Sequence, residues 1–158
     1  MSVAFVGLGS NLGDPVRQVR EALAELGRMP HTRLVKSSSL YRSAPVGYAA
    51  QPAYVNAVAQ LETGLPAERL LGELQEVERQ HGRERSFANA PRTLDLDLLV
   101  FEDLRIKTET LTVPHPRMHE RRFVLEPLAE IADVEIPGKG RASALLGAVK
   151  DQAVEKLQ

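Results

Sequence analysis

The chain is expected to fold as one α+β domain over residues 1–158, a βαββαβ core with an antiparallel sheet, then a hairpin and a helical extension. Three observations predict it. Strand-length apolar or alternating runs recur at Val3–Leu8, Arg33–Tyr41, Ala53–Thr63 and Thr93–Phe101. Two intervening stretches carry apolar residues at helical spacing. Gly, Pro or Asn punctuates the junctions.

Val3–Leu8 is a buried strand that runs into a turn at Gly9-Ser10-Asn11. Asp14 and Pro15 suit an N-cap and a first helical position. Val19, Ala22, Leu23 and Leu26 then line one helix face, and Gly27 with Pro30 stops it. Arg33–Tyr41 is a strand, Ala44–Pro52 a loop, and Ala53–Thr63 a strand broken by Gly64-Leu65-Pro66. Leu70, Leu71, Leu74 and Val77 stripe a second helix that ends by Gly82. Arg83–Pro91 is a polar loop, and Thr93–Phe101 the fourth core strand. This order is ferredoxin-like, with both helices on one face of the sheet. Leu104–Ile106 and Leu111–Val113 form a hairpin, and helical segments follow near 121–131 and 142–149.

A chain of 158 residues buries roughly 70% of its unfolded surface and needs no covalent staple. It has no cysteine, which excludes disulfides, thiolate metal sites and cysteine nucleophiles. No secretory leader and no membrane-length apolar run is read, so a cytoplasmic protein is expected. A net charge of −1 argues against nucleic-acid or anionic-membrane partners. A monomer is expected.

The sharpest local signal is Arg92-Thr93-Leu94-Asp95-Leu96-Asp97-Leu98. In a strand the leucines point to the core, while Asp95 and Asp97 share the other face, about 6–7 Å apart along the chain. Like charges so placed repel unless a cation lies between them. Two magnesium ions suit that spacing, and so does a solvated strand face. Hydrolases, nucleases and nucleotidyltransferases share the pattern. The arginines Arg79, Arg83, Arg85 and Arg92 flank it, with guanidinium forks that match phosphate oxygens; a solubilising loop is the plain alternative.

Tyr54 and Asn56 face the same way, a stacking ring beside a hydrogen-bonding amide, which points to a flat nitrogen-rich ligand or to core packing. Phe123 is a candidate for the ligand's other side. His115 stands between two prolines, followed by Arg121, and is a candidate donor to a phosphate or leaving group; a structural histidine is the plain alternative. Glu78 falls on the apolar side of its helix and needs a partner, a ribose or an arginine; Gln75 lies one turn back. Gly7-Leu8-Gly9-Ser10-Asn11-Leu12-Gly13 lacks the spacing of either common nucleotide loop and reads as a strand-to-helix turn.

Together these segments resemble the 6-hydroxymethyl-7,8-dihydropterin pyrophosphokinase family. The blocks run in order over nearly the whole chain: GSNLGD at 9–14, SSLYRSAPVG at 38–47, QPAYVNAV at 51–58, PRTLDLDLL at 91–99, LTVPHPRM at 111–118 and RRFVLEPL at 121–128. The resemblance implies transfer of pyrophosphate from ATP to the pterin hydroxymethyl group, with AMP released. It implies that Asp95 and Asp97 hold two Mg2+ ions. Tyr54 and Phe123 would sandwich the pterin, with Asn56 and the backbone of Ser43, Ala44 and Val46 reading its edge. Gln75, Glu78, Arg85, Arg92, Leu98, Thr112, His115 and Arg121 would line the ATP site. Arg83 and Arg92 would act in catalysis with Asp95, Asp97 and His115, and the 83–91 loop would close over the ligands. Where some members carry Trp before the PR motif, this chain has Phe87-Ala88-Asn89-Ala90; where others carry Tyr after VPH, it has Pro116. Another two-metal nucleotide enzyme, or a non-catalytic ferredoxin-like ligand-binding module, is the alternative reading of the residues.

Overall fold

The structure is a computed structural model that describes residues 1–44, 52–82 and 94–157. Strand β1 (Ser2–Ser10) leads into helix α1 (Pro15–Leu26), capped by Asp14, whose side chain accepts from Arg17 N at 3.2 Å. Strands β2 (Thr32–Ser37), β3 (Tyr41–Ser43) and β4 (Tyr54–Thr63) follow, then helix α2 (Ala67–Gln80) and strand β5 (Asp95–Phe101). All pairings in the sheet are antiparallel, in the order β10-β3-β4-β1-β5, with β2 also on β4. β2 and β3 lie end to end along β4, so the core follows the expected βαββαβ order.

Three sequence expectations change here. The single strand over 33–41 is broken at Ser38–Leu40. Ser38 N donates to Val58 O at 2.9 Å, but Val58 N turns to the Ser38 hydroxyl, also at 2.9 Å, in place of a backbone carbonyl. The hairpin is shorter than expected, pairing only β6 (Ile106–Lys107) with β7 (Thr112–Val113). Gly7 and Gly9 lie inside β1, not in the turn after it.

Helices cover both faces of the sheet. On one, Val19, Ala22 and Leu26 of α1 and Leu70 and Leu74 of α2 meet Val6, Leu8, Ala57, Leu61, Leu96 and Leu98. On the other, α3 (Arg122–Ile131) and α4 (Ala142–Leu145) pack over Phe5, Val58, Leu99 and Val100. β4 is therefore buried along nearly its whole length, although its sequence reads as alternating. β5 bulges opposite Phe5 and Val6, so Leu99 and Val100 both face the second core. A small β8–β9 hairpin (Glu135–Ile136 with Gly140–Arg141) and β10 (Val154–Lys156), which pairs with β3, complete the chain.

Candidate active site

The face under α3 has a gap near its N-terminal end. Register places Gly9 between Asn56 and Asp95, and Gly7 between Val58 and Asp97. Lacking Cβ atoms, the two glycines lower the sheet surface there. A cavity of about 120 Å³ results, with Gly7, Gly9, Asn56, Tyr54, Asp95 and Asp97 on its sheet side and Arg121, Phe123 and Val124 from the start of α3. Ser43 and Ala44, at the end of β3, complete the rim.

Eight residues singled out from sequence meet in this cavity: Ser43, Ala44, Tyr54, Asn56, Asp95, Asp97, Arg121 and Phe123. Asn56 is 4% exposed, and its Nδ2 donates to Ser43 Oγ at 2.6 Å. That bond leaves the amide oxygen toward Gly9, where a Cβ would stand 3.4 Å from it. The Arg121 guanidinium lies 5.5 Å from the Phe123 ring centroid, a cation–π contact that keeps a positive charge at the mouth. Asp95 and Asp97 are half-buried and share one face, while Leu94, Leu96 and Leu98 enter the opposite core, as their alternation predicts.

His115 lies close by. Its backbone N donates to Leu99 O at 2.8 Å, docking the segment after β7 onto the β5 bulge. Burial, aided by the Arg121 charge, lowers its pKa to about 4; Asp95 opposes that shift. The ring is therefore neutral at physiological pH. Its Nδ1 accepts from Arg117 N at 3.2 Å, so the proton sits on Nε2, which is a donor.

Other expected residues fall elsewhere. Gln75 is exposed on α2, Leu98 points into the opposite core, and neither they, Glu78, Thr112 nor His115 line the cavity. Glu78 is buried as the helical wheel requires, and its Oε2 accepts from the Leu96 backbone N at 2.7 Å. Val46, Arg83, Arg85, Phe87 and Arg92, and the 83–91 loop expected to close over the ligands, lie outside the described residues. Gly7 and Gly9 were missed as site residues. Glycines two apart in an apolar run share a strand face, and that spacing was the available signal.

The donor set suits magnesium. Mg2+ is held by one or two carboxylates with waters and substrate phosphates, rather than by an all-protein cage. Asp95 and Asp97 provide oxygen ligands of that kind, and among the described residues no group of three or more His, Cys, Asp or Glu forms a closed metal cage. No helix among the described residues is long and apolar enough to cross a membrane.

Residues 5–133 match the family described as 7,8-dihydro-6-hydroxymethylpterin-pyrophosphokinase. The chain is 44% identical over 158 residues to the 2-amino-4-hydroxy-6-hydroxymethyldihydropteridine pyrophosphokinase of Haemophilus influenzae, covering 99% of each. The Pseudomonas aeruginosa protein of the same name is 45% identical over 154 residues, 97% of this chain and 95% of that one. Among solved structures, Plasmodium falciparum HPPK-DHPS with pterin and p-hydroxybenzoate aligns with a TM-score of 0.74 at 13% identity. That alignment covers 98% of this chain and 45% of the longer one, and it shows the fold alone.

Proposed function

The chain belongs to the 7,8-dihydro-6-hydroxymethylpterin-pyrophosphokinase family, and on that premise we propose how its residues carry the reaction. It transfers pyrophosphate from ATP to the hydroxymethyl group of 6-hydroxymethyl-7,8-dihydropterin, a step of folate biosynthesis. One observation carries the assignment of residues: a single cavity is lined by Tyr54, Asn56 and Phe123 together with Asp95 and Asp97.

The pterin lies between Tyr54 and Phe123, over the floor left by Gly9. Asn56 accepts from the heterocycle edge through the oxygen that its bond to Ser43 leaves free for the cavity. The backbone of Ser43, Ala44 and Val46 reads the rest of that edge. Asp95 and Asp97 hold two Mg2+ ions, which when bound neutralise phosphate charge and orient the triphosphate. Arg121 and His115 Nε2–H donate to phosphate oxygens, a role that the charge of Arg121 and the tautomer of the neutral His115 ring support. Family resemblance assigns Arg83, Arg85 and Arg92 to the phosphates, and Gln75, Leu98 and Thr112 to ATP.

The hydroxymethyl oxygen attacks the β-phosphorus in line, the bond from that phosphorus to the α-phosphate oxygen breaks, and AMP leaves. Such transfers ask a protein chiefly for positioning and charge neutralisation. Residues 134–157 lie beyond the family match, yet they pack in the second core and extend the sheet, which supports reading 1–158 as one domain.

The test supplies ATP, Mg2+ and the hydroxymethyl dihydropterin and separates the products by chromatography. AMP and the pterin pyrophosphate should appear in equal amounts, and EDTA should stop the reaction. Asp95→Ala or Asp97→Ala should each cut turnover roughly a hundredfold or more, since a metal contributes several kcal/mol. ADP as the main product, or ATP cleavage without pterin, overturns the reading.

A further inference from the structure

Glu78 is a buried carboxylate that the pterin cavity does not use. It is 5% exposed and lies in the last turn of α2, beside Leu74 and Val77 in the core. Its Oε2 accepts from Leu96 N at 2.7 Å. Leu96 is the residue between Asp95 and Asp97.

β5 is the last strand of the sheet order, paired with β1 on one side. Along a strand, successive N–H groups point to alternate sides. The Leu96 N–H goes to Glu78, so it points away from β1, to the side where no further strand pairs with β5 among the described residues. The Glu78 carboxylate stands where a neighbouring strand would supply an acceptor. Asp95 and Asp97 pair with Gly9 and Gly7, so only the residue between them needs this support.

We propose that Glu78 is a positioning residue, which through the Leu96 amide holds the pleat that presents Asp95 and Asp97 on one face. The inference rests on the reading of those two aspartates as the metal-holding pair. Three features make the anchor effective. The bond is charge-assisted, roughly twice the strength of a neutral one. The helix behind it is held by Leu70 and Leu74, both fully buried. The two carboxylates are carried two residues apart on one strand face, so the spacing the ions need depends on the backbone between them. A pleat error of one residue also turns both carboxylates toward the opposite core.

The test uses the full chain and two variants. In Glu78→Ala, nitrogen-15 NMR should show the Leu96 amide exchanging about tenfold faster than in wild type. Calorimetric titration of Mn2+ into the complex with a non-hydrolysable ATP analogue should show about tenfold weaker metal binding. Glu78→Gln keeps an acceptor oxygen and should recover most of both losses. That rescue separates positioning from bulk packing, and the glutamine variant keeps the test open should the alanine variant fold poorly. A raised KM for ATP with Leu96 exchange and metal affinity unchanged overturns the proposal and leaves Glu78 as a nucleotide contact. Equal defects in both variants, with metal affinity intact, overturn it too. Failure of the underlying reading looks different: Asp95→Ala and Asp97→Ala would then bind Mn2+ as wild type does, while Leu96 protection would still depend on Glu78.

Discussion

Gly9 lies between an amide and a carboxylate, in the row Asn56, Gly9, Asp95 across three strands. A methyl group there would stand 3.4 Å from Asn56 Oδ1 and 3.7 Å from Tyr54 Cδ1, ordinary contacts that the free protein tolerates. The same methyl would occupy the floor on which a flat ring rests. Gly9→Ala should therefore leave the unfolding midpoint close to wild type while weakening pterin binding about tenfold or more, with ATP binding changed less than twofold. Calorimetric titration of each ligand separates the two, and equal losses would show that the floor is not where the pterin lies. A Cβ at Gly7 would instead make an ordinary contact, 3.4 Å from the Leu99 side chain at the β5 bulge.

At the scale of elements, the break between β2 and β3 is tied down by α3. Glu130 accepts from Ser39 N at 3.1 Å through both oxygens, from Ser39 Oγ at 2.8 Å and from Tyr41 Oη at 2.6 Å. Burial pushes the Glu130 carboxyl up, but the bonds from Tyr41 and Ser39 outweigh it, so its pKa lies below the ordinary value. Burial and the same carboxylate push the Tyr41 phenol up, so it stays a donor across the physiological range. A carboxyl depressed in the folded state stabilises the protein above its unfolded pKa, and that stability is lost as pH falls through the folded pKa. Glu130→Gln should thus lower the urea midpoint at pH 7, and the gap to wild type should close as pH falls below the ordinary carboxylate range. A gap independent of pH would mean that the clamp acts by packing alone. The clamp also bears on the site, because β3 ends at Ser43, which orients Asn56.

For the whole molecule, the last strand closes the sheet edge next to the site. β10 pairs Val154 with Ser43 and Lys156 with Tyr41, and Leu157 N donates to Leu40 O at 2.8 Å. A chain ending at Ala153 should lose about 2–4 kcal/mol of stability, from a few strand hydrogen bonds and two half-buried side chains, Val154 and Leu157. It should also bind pterin more weakly than ATP, since the freed edge carries Ser43. Urea titration with ligand calorimetry reads both effects. Unchanged pterin affinity would show that the edge strand serves stability only.

Much of this was legible in the residues alone. Period-two and period-3.6 patterning assigned the core strands and both core helices, because a strand alternates between its two faces while each of these helices turns one stripe to the core. Alternation also separated Leu94, Leu96 and Leu98 from Asp95 and Asp97, a purely local consequence of the pleat. The fold decided what depends on two segments meeting. Ser38 breaks its strand because Val58 lies opposite and takes the hydroxyl. β4 is buried on both faces because α3 crosses the face that carries the site. Gly7 and Gly9 became a cavity floor only when register set them between Asn56 and Asp95 and between Val58 and Asp97. Glu78 was legible as a buried carboxylate in need of a partner. That one such partner is a backbone N–H 18 residues away depends on α2 packing beside β5, and no spacing within the helix encodes that contact.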